Sequence, residues 1–299
     1  MSVAASELVV VALGGNAVSP PRGGLSFAVE RELIARAAAE LAPLAVAGAR
    51  LLIVHGNGPQ VGRLLSSESA DDPADLDLLV AQTQGEMGYL LAEALAVHLG
   101  AAECAALITR VVVDERDPGF AQPTKPVGRV LAQPPAGAAV QLADGSGWRR
   151  VVASPRPLDV VELDTIRRLL ATTHVIAGGG GGIALVRGES GRQARPAVVD
   201  KDWTAALLAT RLDAHRLLYV TDVAQVCDDF GTPGQRPIAT MTAAAARARL
   251  AAGAFPPGSM GPKIASAVAF VEASGRPAVI ATLGAIAAAL RGDAGTTIA

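Results

Sequence analysis

Short, unbroken apolar runs recur along this chain, and most stop abruptly at glycine, asparagine, aspartate or threonine. LVVVAL (8–13) ends at Gly-Gly-Asn, RLLIV (50–54) at His-Gly-Asn-Gly and HVIA (174–177) at five glycines. PAVV (196–199) ends at Asp-Lys-Asp, RLLYV (216–220) at Thr-Asp, and AVIAT (278–282) closes the series. ALITRVVVD (106–114) reads as one more strand, while about 28–47, 60–67 and 76–98 have helical character. A strand that is apolar at every position has both faces covered. The pattern therefore confines the chain to the α/β class, with a mostly parallel sheet between helices. Ligands of such sheets bind beyond the carboxyl ends of the strands, where the polar clusters fall.

Between about Asp117 and Pro157 the rhythm breaks into a Pro- and Gly-rich stretch with Trp148, Arg149 and Arg150. Forty residues without structure are uncommon inside a domain, so an inserted subdomain or lid is expected there. Hydrophobic residues make up 51% of the 299, but much of that is alanine, and no apolar run is long enough to span a membrane. Net charge is −2 and aromatics are 3%, which gives no nucleic-acid signature. The N-terminus lacks a basic leader region, and Cys104 and Cys227 have neither metal nor redox spacing. A cytoplasmic protein is expected.

Lysine usage is the sharpest local signal. Of 26 basic residues, 23 are arginine and three are lysine: Lys125 in TKPVG, Lys201 in DKD and Lys263 in GSMGPK. Asp200 of an extended DKD points away from Lys201, and Asp202 falls near the helix start, where it is expected to cap. Lys263 lies in a first helical turn, where a cation opposes the dipole and a bound anion would explain it. Gly14-Gly15-Asn16, Gly56-Asn57-Gly58 and the run holding Gly179 and Gly180 are three glycine clusters after strands. Each alone is compatible with a tight turn. Together they point to an anion site, because glycine brings backbone N–H groups close to a ligand.

Familiar nucleotide signatures are absent. There is no GKS or GKT, and HGNGPQVG is one residue too long for the dinucleotide fingerprint. No G-x-S-x-G, H-E-x-x-H or C-x-x-C occurs. His98, His174 and His215 read as structural or exposed, whereas His55 could line the site. Glycine loops and lysines without an evident base suit phosphoryl transfer to an acceptor that is already an anion.

VVALGGNA, HGNGPQVG, TQGEMGYLL, TRVVVD, PTKPVG, GWRRVV, AVVDKD and PGSMGPK resemble, in order, the motifs of the carbamate kinases within the amino acid kinase superfamily. The resemblance spans residues 1–299 as one kinase domain. It implies an open three-layer α/β/α sandwich with a protruding subdomain at about 117–157, assembled as a homodimer. It also implies Mg²⁺-dependent phosphoryl exchange between ATP and carbamate, with Mg²⁺ held through phosphates and water. Lys125 would meet the acyl phosphate, Lys201 and Lys263 the transferring phosphoryl group, and Asp202 would orient the lysines. Gly14, Gly15, Asn16, Gly56, Asn57, Gly58, Gly179 and Gly180 would surround phosphate and acceptor. Asp222, Gly258, Ser259 and Met260 would lie near ATP or ADP. Ala153, Arg156, Ala184 and Ala265 depart from the usual pattern. Competing readings are a kinase for another small anion, a non-catalytic nucleotide sensor and a Rossmann-type dehydrogenase.

Overall fold

The computed structural model describes residues 7–18, 26–67, 75–100, 104–142, 145–188, 191–256 and 259–299. The first part of the chain forms β1 (Leu8–Leu13), α1 (Gly15–Val18), α2 (Phe27–Val46), β2 (Arg50–His55), α3 (Gly58–Ser67), α4 (Leu76–Leu99), β3 (Cys104–Ala106) and β4 (Arg110–Val113). Then come α5 (Pro118–Ala121), β5 (Lys125–Leu131), β6 (Ala139–Gln141), β7 (Trp148–Val152) and β8 (Pro157–Val160). The rest comprises α6 (Leu163–Leu170), β9 (His174–Ile176), β10 (Ile183–Gly188), β11 (Gly191–Val198), α7 (Lys201–Arg211), β12 (Arg216–Thr221), β13 (Val226–Asp228), β14 (Arg236–Ile238) and β15 (Thr240–Met241). It ends with α8 (Ala243–Ala251), α9 (Met260–Ser274), β16 (Ala278–Thr282), α10 (Ile286–Arg291) and β17 (Thr296–Ile298).

The main sheet runs β15-β17-β16-β12-β1-β2-β9-β3 and is parallel except where β17 meets β16. Its two faces bury alternate residues of each central strand. Val10, Ala12, Leu217 and Tyr219 pack with α7 and α9, whereas Val9, Val11, Leu13, Leu218 and Val220 pack with α2, α4 and α10. Val9 to Leu13 are wholly buried, which is why β1 shows no polar alternation. Each valine or leucine side chain among them contributes roughly 1.5–3 kcal/mol through removal from water.

Two sequence expectations need correction. ALITRVVVD is two strands rather than one: β3 is the edge of the main sheet, whereas β4 joins a second sheet ordered β11-β10-β4-β8. Between them the Thr109 hydroxyl donates to the Leu107 carbonyl at 3.1 Å and accepts the Gly178 amide at 2.8 Å. The first three residues of PAVV likewise belong to β11, which pairs antiparallel with β10 in that second sheet.

Residues 125–152 build a three-stranded antiparallel sheet, β5-β7-β6. Val127 and Val152 of this sheet share a small apolar core with Val61, Leu65, Leu76, Leu79 and Val80 of α3 and α4. At its return the Val198 amide donates to the Ala153 carbonyl at 2.9 Å, and Arg156 stacks 3.3 Å from the Trp203 ring centroid.

Candidate active site

The Asp-Lys-Asp segment lies where β11 gives way to α7. Asp200 is extended (φ −74, ψ 123), and its Oδ1 accepts the Asp202 amide at 2.9 Å. Asp200, not Asp202, is therefore the N-cap. The helix begins at Lys201, which puts the Asp202 carboxylate in the first turn with both oxygens available to side chains.

Both oxygens are used. Lys201 donates to Asp202 Oδ1, and Lys263, from the first turn of α9, donates to Oδ2 at 3.0 Å. Asp202 is 3% exposed, so the cluster is nearly dry and its charges are weakly screened. Tyr219 of β12 braces it from beneath, its hydroxyl 2.7 Å from Ser266 Oγ on α9. Lys125, from β5, donates to Asp200 Oδ2 at 2.8 Å and so joins residues 125–152 to the start of α7. Three ammonium groups meet two carboxylates here, leaving one positive charge in excess.

The acidities follow from this packing. Burial pushes the Asp200 carboxyl up, but the Lys125 charge and hydrogen bond, Lys201 and the Asp202 amide outweigh it and hold it at about 2. Burial lowers Lys201 below the ordinary lysine value, and the nearby Lys263 ammonium adds to that against the pull of the aspartates.

Two cavities meet at the cluster. One, of about 350 Å³, has apolar walls at Val223, Val226, Phe230 and Phe255, with Asp222 and Met260 beside them. The other, of about 230 Å³, is lined by Gly56, Asn57, Gly58 and Gly180 and by all three lysines. Gly15, Ser259 and Lys263 belong to both walls. Gly14 lines the first cavity, and a Cβ on it would lie 2.8 Å from the Val220 carbonyl oxygen. Asn16 is in α1, whose backbone follows Gly15, and Gly258 lies outside the described residues.

The five-glycine run has a different cause from the one expected of an anion loop. Gly178, Gly180, Gly181 and Gly182 all have positive φ, and a Cβ on Gly180 or Gly181 would approach Asn57 or the Val199 carbonyl to 2.2 or 2.0 Å. Gly180 lines the lysine-walled cavity, whereas Gly179 is buried with its Cβ position 2.4 Å from His55 Nε2. His55 is 1% exposed and donates from Nδ1 to the Gly56 carbonyl at 2.9 Å. Burial lowers its pKa to about 4, so the ring is neutral. It supports the floor of the site and lines neither cavity.

Residues without a role in the sequence reading hold that floor. Gln84 donates to the Gly179 carbonyl at 2.9 Å and accepts the Thr109 amide at 2.6 Å. Thr109 Oγ1 accepts the Gly178 amide at 2.8 Å, and Thr204 donates to the Gly181 carbonyl at 2.7 Å. Thr83 receives the Asn57 side-chain amide at 2.9 Å. The pair Thr83-Gln84 within an otherwise apolar helical face was the signal available for them. A buried Glu30 on α2 also accepts Gln60 at 2.7 Å and Arg63 at 3.0 Å, fixing α3 behind the Gly56–Gly58 turn.

The amino acid kinase family model matches residues 7–282. The chain belongs to the amino acid kinase family. Within it, the chain is 39% identical over 312 residues to the carbamate kinase-like protein YahI of Escherichia coli K12, across 98% of both chains. It is 40% identical over 301 residues to carbamate kinase of Halobacterium salinarum, across 97% of each. Carbamate kinase from Giardia lamblia bound to AMP-PNP has the same amino acid kinase architecture, with a TM-score of 0.89, 33% identity and 98% coverage of both chains.

Proposed function

We propose that this chain catalyses reversible phosphoryl transfer between ATP and carbamate, forming ADP and carbamoyl phosphate. The observation that carries the reading is the wall shared by the two cavities, where Asp202 holds Lys201 and Lys263 together. The apolar-walled cavity takes the nucleoside beside Asp222, Ser259 and Met260. The lysine-walled cavity takes the acyl phosphate, and the phosphoryl group crosses at Gly15 and Lys263.

Towards ATP, an oxygen of the ADP β-phosphate attacks phosphorus while the bond from phosphorus to the carbamoyl oxygen breaks. The bonding electrons leave with carbamate, which departs as an anion, so no side chain has to move a proton. Lys201 and Lys263 stabilise charge on the transferring oxygens, and Lys125 meets the acyl phosphate from the inserted segment. Gly14, Gly15, Asn16 and the Gly56–Gly58 turn supply donors around it. The whole chain acts as one kinase domain with a subdomain inserted at 117–157.

Magnesium enters as part of the nucleotide substrate. Among the described residues no group of three His, Cys, Asp or Glu side chains is placed to hold a metal, and both aspartates of the cluster face lysines. Mg²⁺ keeps several waters and binds through phosphates in such sites. No described helix is long and apolar enough to cross a membrane. The same reading places the enzyme in the cytoplasm as a homodimer that makes ATP, as the family resemblance suggests.

ATP formation from carbamoyl phosphate and MgADP tests this directly, with Lys125→Ala measured alongside. ATP should form readily, and kcat/KM should fall roughly 100-fold in the variant. A folded protein that binds ADP and makes no ATP would overturn the reading and direct attention to other small carboxylates.

A further inference from the structure

Asn57 was expected to supply donors to the site, but its hydrogen bonding gives it a different character. The Thr83 hydroxyl lies 2.9 and 3.0 Å from the carbonyls of Leu79 and Val80, one turn back along α4. Its single proton is used there, so towards Asn57 it accepts, and the Asn57 nitrogen must face it. The amide also lies against Gly180, where even a methyl group would come within 2.2 Å of it. The Asn57 side chain is thus held by packing and by one hydrogen bond. Its Oδ1 has no protein donor among the described residues and is not sealed from the cavity that Asn57 lines.

Both carboxylates that line that cavity are committed. Asp202 faces Lys201 and Lys263, Asp200 faces Lys125 and the Asp202 amide, and Ser259 stands at the boundary with the nucleotide side. Asn57 Oδ1 is therefore a neutral hydrogen-bond acceptor inside a pocket otherwise built for an anion. A carboxylate at this position would repel an anionic substrate; an amide oxygen does not. The group it suits is an uncharged N–H carried by the anion itself.

We infer that Asn57 is the residue that recognises the amino group of the acceptor, its Oδ1 accepting one N–H and so separating a carbamoyl from an acetyl compound. This assignment rests on the phosphoryl-transfer reading above and deepens it. Acetyl phosphate is the natural probe, because a methyl group replaces the amino group and little else changes. A site built to hydrogen-bond a substrate N–H disfavours the analogue that lacks it, since its buried acceptor is left unpaired.

The experiment compares kcat/KM for carbamoyl phosphate and acetyl phosphate with MgADP, in the wild type, Asn57→Leu and Thr83→Val. If acetyl phosphate turns over too slowly, its inhibition constant against carbamoyl phosphate replaces KM. The wild type should prefer the carbamoyl compound, and Asn57→Leu should reduce that preference by roughly 30-fold or more. Thr83→Val, which releases the amide to turn over, should reduce it by several-fold. An equal loss on both compounds in Asn57→Leu would make Asn57 a structural residue and overturn the assignment. Should that variant misfold, an undiminished preference in Thr83→Val would overturn it instead. A wild type that makes no ATP from carbamoyl phosphate would defeat the proposed reaction itself, a result distinct from equal loss in the variants.

Discussion

Two aspartates two positions apart do different work at the start of α7. Asp202 is enclosed and holds two lysines from the body of the protein, with side-chain exposures of 12% and 13%. Asp200 holds one lysine from β5, which is 35% exposed, and also caps the helix. The first arrangement fixes a charge centre; the second is a bridge between two parts of the chain. Removing one member of an enclosed cluster leaves uncompensated charge, whereas a half-open pair is softened by water.

The contrast breaks first at Asp202. Asp202→Asn should lower kcat by about 1000-fold and destabilise the fold by roughly 3 kcal/mol, because Lys201 and Lys263 then repel in a dry site. Turnover and urea midpoints measure both, and a mild effect on either would remove the idea of a fixed centre. Lys201→Arg should stay folded by circular dichroism yet lose about 100-fold in turnover, since a planar guanidinium cannot replace a compact ammonium. Near-normal turnover there would sink the role given to Lys201.

Asp200→Asn should be milder. Asparagine caps a helix as well as aspartate, so the stability lost is that of the Lys125 pairing alone, roughly 2 kcal/mol. With Lys125 no longer paired, KM for the acyl phosphate should shift several-fold while kcat moves little. A large fall in kcat would place Asp200 with Asp202 rather than apart from it.

Acid sharpens the comparison further. His55 is held neutral at about 4 against an ordinary 6.5, so below 6.5 the unfolded chain takes up a proton that the folded one does not. Stability should therefore fall as pH drops from 6.5 towards 4, by about 3 kcal/mol at the limit. Asp200 is held at about 2, so its contribution is complete above roughly pH 4 and is lost only below that. Urea midpoints against pH should show a flatter upper limb in His55→Asn; an unaltered slope would assign that limb to other groups.

Strands buried on both faces were legible in the sequence, as β1, β2, β12 and β16 show, because continuous apolar runs have few other uses. The rarity of lysine marked three positions that the fold brings around one cavity. Proximity hid the division of labour between Asp200 and Asp202, since a two-residue shift in the helix start would make Asp202 the cap instead of Asp200. The glycine run was visible, yet its cause was not: the space is taken by His55, Asn57 and Val199, the first two from a different strand end and turn. Thr83, Gln84 and Thr109 were hidden for the same reason, their partners lying 25 or more positions away.

Because Gly15, Ser259 and Lys263 wall both cavities, one molecule can occupy them together. A nucleoside joined through a phosphate chain to a carbamoyl-like end would lose its translational freedom once rather than twice. Its second end would then see an effective concentration in the millimolar range or above, set by the length of the bridge. Bridge length thus becomes a molecular ruler: the tightest member of a series with one, two or three linking phosphates would report the span over which the phosphoryl group moves.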